Sequence, residues 1–320
     1  MLKSLRIHPR PGPLSDNDDL TFNTGADANS ILHPKNVFLS RISPNSVGIA
    51  WNHVVRADIG GITAFDYLSL LATSPKLISL RICALKDNEG QGTQSFGPHP
   101  VTHSALEILN LTTIAQNIDA LLNHITLPSL QKLVANSLTT GLTSMIARSA
   151  PPLTDLTIGN AESSGEVISL LKMMPNLNDL RLLDTQIGTW FFQYLASTST
   201  FSTSPSEDED ERFLPNLSSL KIRGQLTLLW SYVEDLFGLI PKLNGQDVDG
   251  QMQIRRPLTK LSIEIKPVVP MVVGYYKTEV VDEETLRQLR TAGISLEIYD
   301  YQGNFLTGTN GGESGKEGQR

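Results

Sequence analysis

The chain contains 320 residues, of which 40% are hydrophobic, and its 26 basic and 33 acidic side chains give a formal net charge of −7. This apolar fraction excludes wholesale disorder, and the negative charge excludes a general attraction to nucleic acid. The single cysteine, Cys83, excludes an internal disulfide framework and a zinc ribbon. No apolar run reaches the ~18 residues of a membrane span, and the N-terminus lacks the apolar stretch of a secretion signal. We therefore expect a soluble cytoplasmic or nuclear protein that binds no membrane.

One phrase recurs along the chain: a leucine, two residues, an apolar residue, one residue and a further apolar residue. Its copies, in chain order, are Leu2-Leu5-Ile7, Val54-Ala57-Ile59, Leu77-Leu80-Ile82, Leu106-Leu109-Leu111, Leu130-Leu133-Ala135, Leu153-Leu156-Ile158, Leu177-Leu180-Leu182, Leu217-Leu220-Ile222, Leu258-Leu261-Ile263 and a weaker Ile294-Leu296-Ile298. From Val54 to Leu258, four of the seven spacings are 23 or 24 residues. Leucine-rich repeats have periods of roughly 20–29 residues, whereas heptads and helical-pair repeats do not fit.

The phrase predicts a strand in each copy. Side chains alternate between the faces of a strand, so Leu180 and Leu182 point into the core while Arg181 points outward. Between the strands, apolar residues at helical spacing predict amphipathic helices at 117–125, 165–174 and 228–240. This alternation predicts an α/β fold, a leucine-rich repeat solenoid over residues 1–300 with a parallel sheet on its concave side and helices on its convex side.

Four segments interrupt or follow the repeats. Residues 8–36 and 86–102 are rich in Gly, Pro and polar residues and predict mobile loops. Residues 197–212 are rich in Ser and Thr and then acidic, and residues 306–320 contain almost no apolar side chain, so we expect mobility in both. The chain opens directly on a repeat strand without an amphipathic cap, so either Lys3, Arg6 and the loop 8–36 form a cap or the chain is a fragment of a longer protein, which is the interpretation we prefer.

Catalytic and metal-binding patterns are missing from the sequence. The six histidines are scattered, and His99 and His103 lie in a Gly- and Pro-rich loop, where we expect solvated side chains. Cys83 has no motif partner. Catalysis needs a nucleophile, a base and an orienting group, or metal ligands at suitable spacing. We therefore predict a protein that is not an enzyme and has no cofactor or metal.

Basic side chains mark the outward strand positions. The position between the last two apolar residues is basic in four of nine copies (Arg6, Arg81, Arg181 and Lys221), and Arg223 follows Lys221 on the same face. We take Arg81, Arg181, Lys221 and Arg223 as candidate partner-binding residues for an acidic or phosphorylated peptide. The alternative is an ordinary solvated sheet face.

The insertion before Lys221 offers two candidate phosphosites. Ser206 precedes the acidic run 207–211, and Ser204 precedes a proline. Phosphate at either site would add about 1.5–2 negative charges. The acidic run is also a candidate for an internal contact across the basic positions.

Several phrases resemble the leucine-rich part of fungal, particularly basidiomycete-type, F-box-like proteins. The segments are Arg148–Leu156 (RSAPPLTDL), Pro175–Leu182 (PNLNDLRL), LPSLQKLVANSL and LPNLSSLKI, and the resemblance covers roughly residues 40–300. It implies the substrate-recognition solenoid of an SCF-type ubiquitin ligase. The F-box itself, a helical segment opening with a Leu-Pro-x-Glu-like phrase, is not found in this sequence, so docking to the ligase adaptor would require an F-box upstream.

The preferred interpretation is a non-catalytic protein-interaction module whose partner is a protein. The alternative is a stand-alone leucine-rich scaffold or adaptor with no ubiquitin role. An enzyme is the third hypothesis, and no group of residues supports it.

Overall fold

The structure, a computed structural model, describes residues 3–7, 31–86, 100–112, 118–161, 163–197, 213–226, 236, 257–265, 287, 289–291 and 293–299. The strands are β1 Ser4–Ile7, β2 Asn36–Ser40, β3 Arg56–Ile62, β4 Ser79–Leu85, β5 Val101–Thr102, β6 Ile108–Leu111, β7 Ile125–Thr126, β8 Lys132–Ala135, β9 Asp155–Gly159, β10 Asp179–Ile187, β11 Ser219–Leu226, β12 Lys260–Ile265 and β13 Ser295–Tyr299. The helices are α1 Ala64–Thr73, α2 Ile118–Leu122, α3 Thr140–Ser149, α4 Ser164–Leu171 and α5 Thr189–Ser197.

Eleven strands form one sheet in the order β1-β2-β3-β4-β6-β8-β9-β10-β11-β12-β13, and every neighbouring pair is parallel. β5 and β7 form a separate two-stranded parallel sheet. Successive strands of the large sheet are neighbours in space. Because they are parallel, each connection brings the chain back to the end of the sheet at which the previous strand began. The prediction of an α/β fold with a parallel sheet is confirmed.

The predicted apolar positions stand in register across the whole sheet. One row of Cα partners is Leu5, Val37, Ala57, Leu80, Leu109, Leu133, Leu156, Leu180, Leu220, Leu261 and Leu296. The members from Val37 to Leu261 are at most 4% exposed. Leu5 and Leu296 lie on the terminal strands of the sheet and are only partly buried. Each inner strand therefore covers the apolar side chains of its neighbours.

A repeated hydrogen-bond pattern precedes the strands. We call the residues just before each strand a junction. In eight junctions, one backbone carbonyl accepts hydrogen bonds from two consecutive N–H groups at the start of the neighbouring strand, at 2.8–3.2 Å. The accepting residues are Lys35, Val55, Ile78, Glu107, Gln131, Thr154, Asn178 and Ser218. Because the same two bonds recur at each junction, consecutive segments enter the sheet with the same backbone geometry.

The helices bury their apolar faces in the same cluster as the inward strand side chains. This cluster includes Leu70 of α1, Leu121 of α2, Met145 of α3, Leu170 of α4 and Phe191 of α5, each at most 1% exposed. α1 begins with a capping box, in which the Thr63 hydroxyl accepts from the Asp66 N–H and the Asp66 carboxylate accepts from the Thr63 N–H. Within the described residues, no helix is long and apolar enough to cross a membrane.

Two of the predicted loops are shorter than expected. Asn36, the last residue of the predicted loop 8–36, begins β2, and Leu32 already forms a bridge with Ile49. The sequence pattern did not predict β2, because Pro34 occupies the position of the first leucine and is itself buried. At the end of the predicted loop 86–102, Val101 and Thr102 form β5.

The remaining predicted segments are described only in part. The predicted helix 117–125 ends at Leu122, and Ile125 instead begins β7. Of the predicted helix 228–240, the structure describes Leu236, which is helical and buried. Residues 8–30, 87–99, 198–212 and 306–320 lie outside the described residues.

Candidate functional site

One face of the large sheet carries side chains that do not belong to the core cluster, and we call it the outward face. Its central row of Cα partners is Arg6, Phe38, Asp58, Arg81, Asn110, Val134, Thr157, Arg181, Lys221, Ser262 and Glu297. All of them are exposed or half-buried except Ser262, which is 5% exposed. The sheet alternation therefore places the predicted outward residues on one continuous surface.

Arg81 lies beside a carboxylate and the cysteine. Its Nη1 atom is 3.6 Å from Oδ2 of Asp58 on β3, and the side chains are 50% and 29% exposed. The Cys83 Sγ donates to Oδ1 of the same carboxylate at 3.0 Å. An ion pair as exposed as this contributes at most about 1 kcal/mol to stability, so Arg81 remains available to a ligand.

Cys83 lies in an environment that disfavours its thiolate. Partial burial raises the pKa of the thiol, and the hydrogen bond and negative charge of Asp58 raise it further. A reactive cysteine needs the opposite shift, because the thiolate is the nucleophile. Exposure of Cys83 agrees with its outward position, and its neighbourhood gives no support to a nucleophilic role.

Arg181 forms an ion pair within its own strand. Its Nε donates to Oδ1 of Asp179 at 2.9 Å, and its Nη2 donates to Oδ2 at 3.4 Å. Hydrogen bonding to Asp179 raises the pKa of Arg181 above its ordinary value, and the negative charge of Asp179 raises it further. Asp179 is in register with Asp155 of β9, so two carboxylates adjoin this arginine.

Arg223 is partly buried and is also paired. Its Nη2 donates to Oδ2 of Asp184 at 2.9 Å, with about a third of each side chain exposed. Asp184 lies at the irregularity in β10 and has a φ of 56°. This turn of the backbone brings the carboxylate to Arg223, so the guanidinium is committed to a contact within the sheet.

Lys221 is exposed and has no ion pair within the described part of the chain. It is in register with Arg181, and Arg223 follows it on the same face. Three of the four candidate residues are therefore brought together on β10 and β11. Arg81 is four strands away, a separation of about 19 Å at the usual strand spacing of ~4.8 Å.

The β9–β13 end of the outward face is close to neutral. The repeated phrase marks one outward position in each repeat, and that position reveals the basic residues but not the carboxylates on either side of them. The outward positions of these strands hold the basic residues Arg181, Lys221, Arg223 and Lys260 and the acidic residues Asp155, Asp179, Glu264 and Glu297, and Asp184 reaches Arg223 from the irregularity in β10. The three candidates on β10 and β11 thus lie at an end of the face where acidic side chains are at least as numerous as basic ones.

The other end of the outward face contains residues that sequence analysis did not select. Arg56 lies on β3, and the Arg6 guanidinium lies 4.8 Å from the centre of the Phe38 ring. Phe38 belongs to the strand that the sequence pattern did not predict. The alternation of β2, with Val37 and Leu39 buried on either side, would have placed Phe38 outward had the strand been recognised.

Two histidines in the described part of the chain are in contact: the rings of His33 and His53 pack edge to face with their centroids 5.1 Å apart. His103 is 4% exposed, and its Nε2 lies 2.9 Å from the Ser74 carbonyl, so the expectation of a solvated side chain is wrong for this residue. It follows β5, whose pairing with β7 draws the segment inward. Among the described residues, no group of three or more His, Cys, Asp or Glu is arranged to hold a metal.

The candidate phosphosites Ser204 and Ser206 and the acidic run 207–211 lie outside the described residues. Comparison of the chain with known protein families gives no match, and comparison with curated proteins gives none either.

Proposed function

We propose that the chain is a leucine-rich repeat solenoid acting as a non-catalytic protein-interaction module, similar in role to the substrate-recognition part of an SCF-type ubiquitin ligase F-box protein. Its protein partner would bind the outward face, and the helices would hold the strands in place. The observation that carries this proposal is the outward row of side chains, which continues in register over eleven parallel strands outside the core.

The repeat interpretation is supported by the backbone. A leucine-rich repeat needs one strand per repeat, an apolar row shared with both neighbours and a constant junction. The in-register row from Val37 to Leu261 and the eight doubly accepting carbonyls meet these requirements. The long connection between β10 and β11 leaves the apolar positions in register, since Leu180 pairs with Leu220 and Leu182 with Ile222.

The size of the outward face favours a macromolecular partner. Eleven strands at ~4.8 Å spacing extend about 48 Å, and strands of about five residues are roughly 16 Å long, which gives a surface of about 770 Å². A stable protein–protein interface buries about 800 Å² on each partner. A small molecule needs a concave pocket instead, whereas the outward row is a continuous strip of mixed charged, polar and apolar side chains.

Position-specific photocrosslinking tests this proposal. A benzophenone amino acid is placed at Phe38 or Thr157 on the outward face and, as matched controls, at the exposed helical residues Phe65 or Trp190. We expect crosslinks to the same protein from both outward positions and from neither helical position. That protein, once purified, should bind the full chain and lose affinity when outward side chains are changed. Equal crosslinking from the helices, or partner binding unaffected by outward substitutions, would contradict the proposal.

The ubiquitin role and the stand-alone scaffold are separated by a different measurement. Determination of the 5′ end of the native transcript, together with copurification of the ligase adaptor, tests for an F-box upstream. An in-frame F-box and a bound adaptor support the receptor role. Their absence, with the outward-face partner still bound, supports a scaffold with no ubiquitin function.

A further inference from the structure

The outward face of β1–β4 has an excess of positive charge. Its charged residues are Arg6, Arg56 and Arg81 and a single carboxylate, Asp58. The remaining outward residues are uncharged: Ser4, Asn36, Phe38, Ser40, Gly60, Ser79 and Cys83. This excess occurs in a chain with a net charge of −7 and contrasts with β9–β13, where acidic side chains are at least as numerous as basic ones.

These arginines are accessible to a ligand. Arg6 and Arg56 are exposed and form no ion pair within the described residues. Stacking over the Phe38 ring at 4.8 Å orients the Arg6 guanidinium. Arg81 is half exposed and shares Asp58 with the thiol of Cys83. None of these three arginines forms an ion pair as short as the 2.9 Å contact between Arg223 and Asp184 at the other end of the face.

The spacing of the arginines matches an extended peptide. Arg6 and Arg81 stand in one row on the first and fourth strands, about 14 Å apart at ~4.8 Å per strand. An extended chain advances about 3.3 Å per residue, so acidic side chains four residues apart would meet these two arginines. Arg56 lies between them, one strand from Arg81 and two residues before Asp58.

The position of Asp58 favours a peptide over a nucleic acid. Its carboxylate is held between Arg81 and Cys83 in the middle of the basic residues. A nucleic acid carries a phosphate at every nucleotide and would bring one close to this carboxylate. A peptide can place an uncharged or basic side chain opposite Asp58 and an apolar one against the exposed part of Phe38.

We infer that the outward face of β1–β4 docks an extended acidic segment of a protein partner, through Arg6, Arg56 and Arg81 with Phe38 as an apolar contact. This inference rests on the proposed function and names its partner chemistry. The proposed binding residues therefore lie at the opposite end of the sheet from Arg181, Lys221 and Arg223.

The test measures fluorescence anisotropy with the full chain. The probe is a labelled peptide of about 12 residues with glutamates four residues apart and a leucine between them, at about 50 mM and about 300 mM NaCl. In the test variant, Arg6, Arg56 and Arg81 are all replaced by Gln. In the matched control, Arg181, Lys221 and Lys260 are replaced by Gln, which makes the same change in net charge on the same face. Circular dichroism and thermal unfolding verify that both variants fold.

We expect the test variant to weaken peptide binding at least ~10-fold and the control less than ~2-fold, with weaker binding at the higher salt concentration. Equal losses in the two variants would show a response to overall charge and would overturn the inference. So would the absence of peptide binding to the wild-type chain, or tighter binding of a uridine 12-mer of RNA by the same arginines.

A second measurement needs no variant. The peptide with a benzophenone in place of its leucine is irradiated with the wild-type chain, and crosslinks are expected at residues 36–40 and 79–85. Crosslinks on β9–β13 would overturn the inference. If the peptide does not bind while a purified partner still crosslinks to Thr157 on the outward face, the inference fails and the proposed function stands.

Discussion

Leu180 and Leu183 offer a direct test of the two faces of the sheet. Both are leucines of β10, three residues apart. Leu180 is 0% exposed and packs in the core, in register with Leu156 and Leu220. Leu183 is on the outward face, partly exposed and outside the core cluster. The same substitution, leucine to alanine, should therefore have very different consequences at the two positions.

The expected cost of Leu180→Ala follows from complete burial. Replacing a buried leucine by alanine costs about 2.7–5 kcal/mol, since the transfer free energy is lost and a cavity remains between the neighbours. Both flanking strands hold the backbone in register, which limits collapse of this cavity. We expect a loss of about 3 kcal/mol, or roughly a 150-fold fall in the folding equilibrium constant. For Leu183→Ala we expect less than about 1 kcal/mol.

Urea unfolding followed by circular dichroism measures both variants against the wild-type chain. Midpoint shifts at a common m-value give the two changes in unfolding free energy. A loss at Leu183 equal to that at Leu180 would refute the assignment of the two faces. A loss below about 1 kcal/mol at Leu180 would refute the packing argument, because no well-packed leucine is so easily removed.

Three further predictions concern single side chains. Tyr67→Phe removes a buried hydroxyl that donates to a backbone carbonyl at 2.6 Å and should cost about 1–2 kcal/mol. Burial raises the pKa of Tyr67 above its ordinary value of 10.0, so the unfolded chain ionises first. The stability advantage of wild type over Tyr67→Phe in urea should therefore shrink above about pH 10, and an advantage that stays constant to about pH 11 would contradict this. Asp58→Asn removes the group whose hydrogen bond and charge raise the pKa of Cys83, so iodoacetamide should alkylate the thiol faster near neutral pH; an unchanged pH–rate profile would count against the contact. Gly224→Ala would drive a Cβ into the backbone of the neighbouring strand, whereas Gly48→Ala meets open space; thermal unfolding should show a loss above about 2 kcal/mol for the first and under about 0.5 kcal/mol for the second, and similar values would argue against the close approach of β10 and β11.

The inward half of the sheet could be predicted from sequence because burial constrains it. Every strand of the large sheet from β2 to β12 must present apolar side chains to both neighbours, so the phrase persists even where the intervening segment is long. Leu217 follows Leu177 after an insertion of about sixteen residues beyond the usual spacing of ~24, yet the buried Leu220 of β11 still pairs with Leu180 of β10. The strand that was missed, β2, begins after Pro34, which fills the first-leucine position with a different apolar residue.

The ion pairs of the outward face could not be predicted in the same way. Arg223 and Asp184 are 39 residues apart in the chain, and their contact depends on the irregularity in β10 and the positive φ of Asp184. Periodicity gives the face on which a side chain lies but not the neighbour that its charged group reaches. His103 shows the same limit, since its burial depends on the pairing of β5 with β7, two strands of two residues each.

The two faces of the sheet therefore carry different kinds of information about function. At an inward position a change of size or polarity costs several kcal/mol, so the apolar residues are explained by folding alone. At an outward position most changes cost under about 0.5 kcal/mol, and folding leaves charge undetermined. Along β9–β13 acidic side chains are at least as numerous as basic ones, so this end has no excess of positive charge. Along β1–β4 three arginines stand with one carboxylate, and Arg6 and Arg56 form no ion pair in the described residues. An excess that folding does not require is the stronger indication of a partner, and it places the arginines of β1–β4 ahead of Arg181, Lys221 and Arg223.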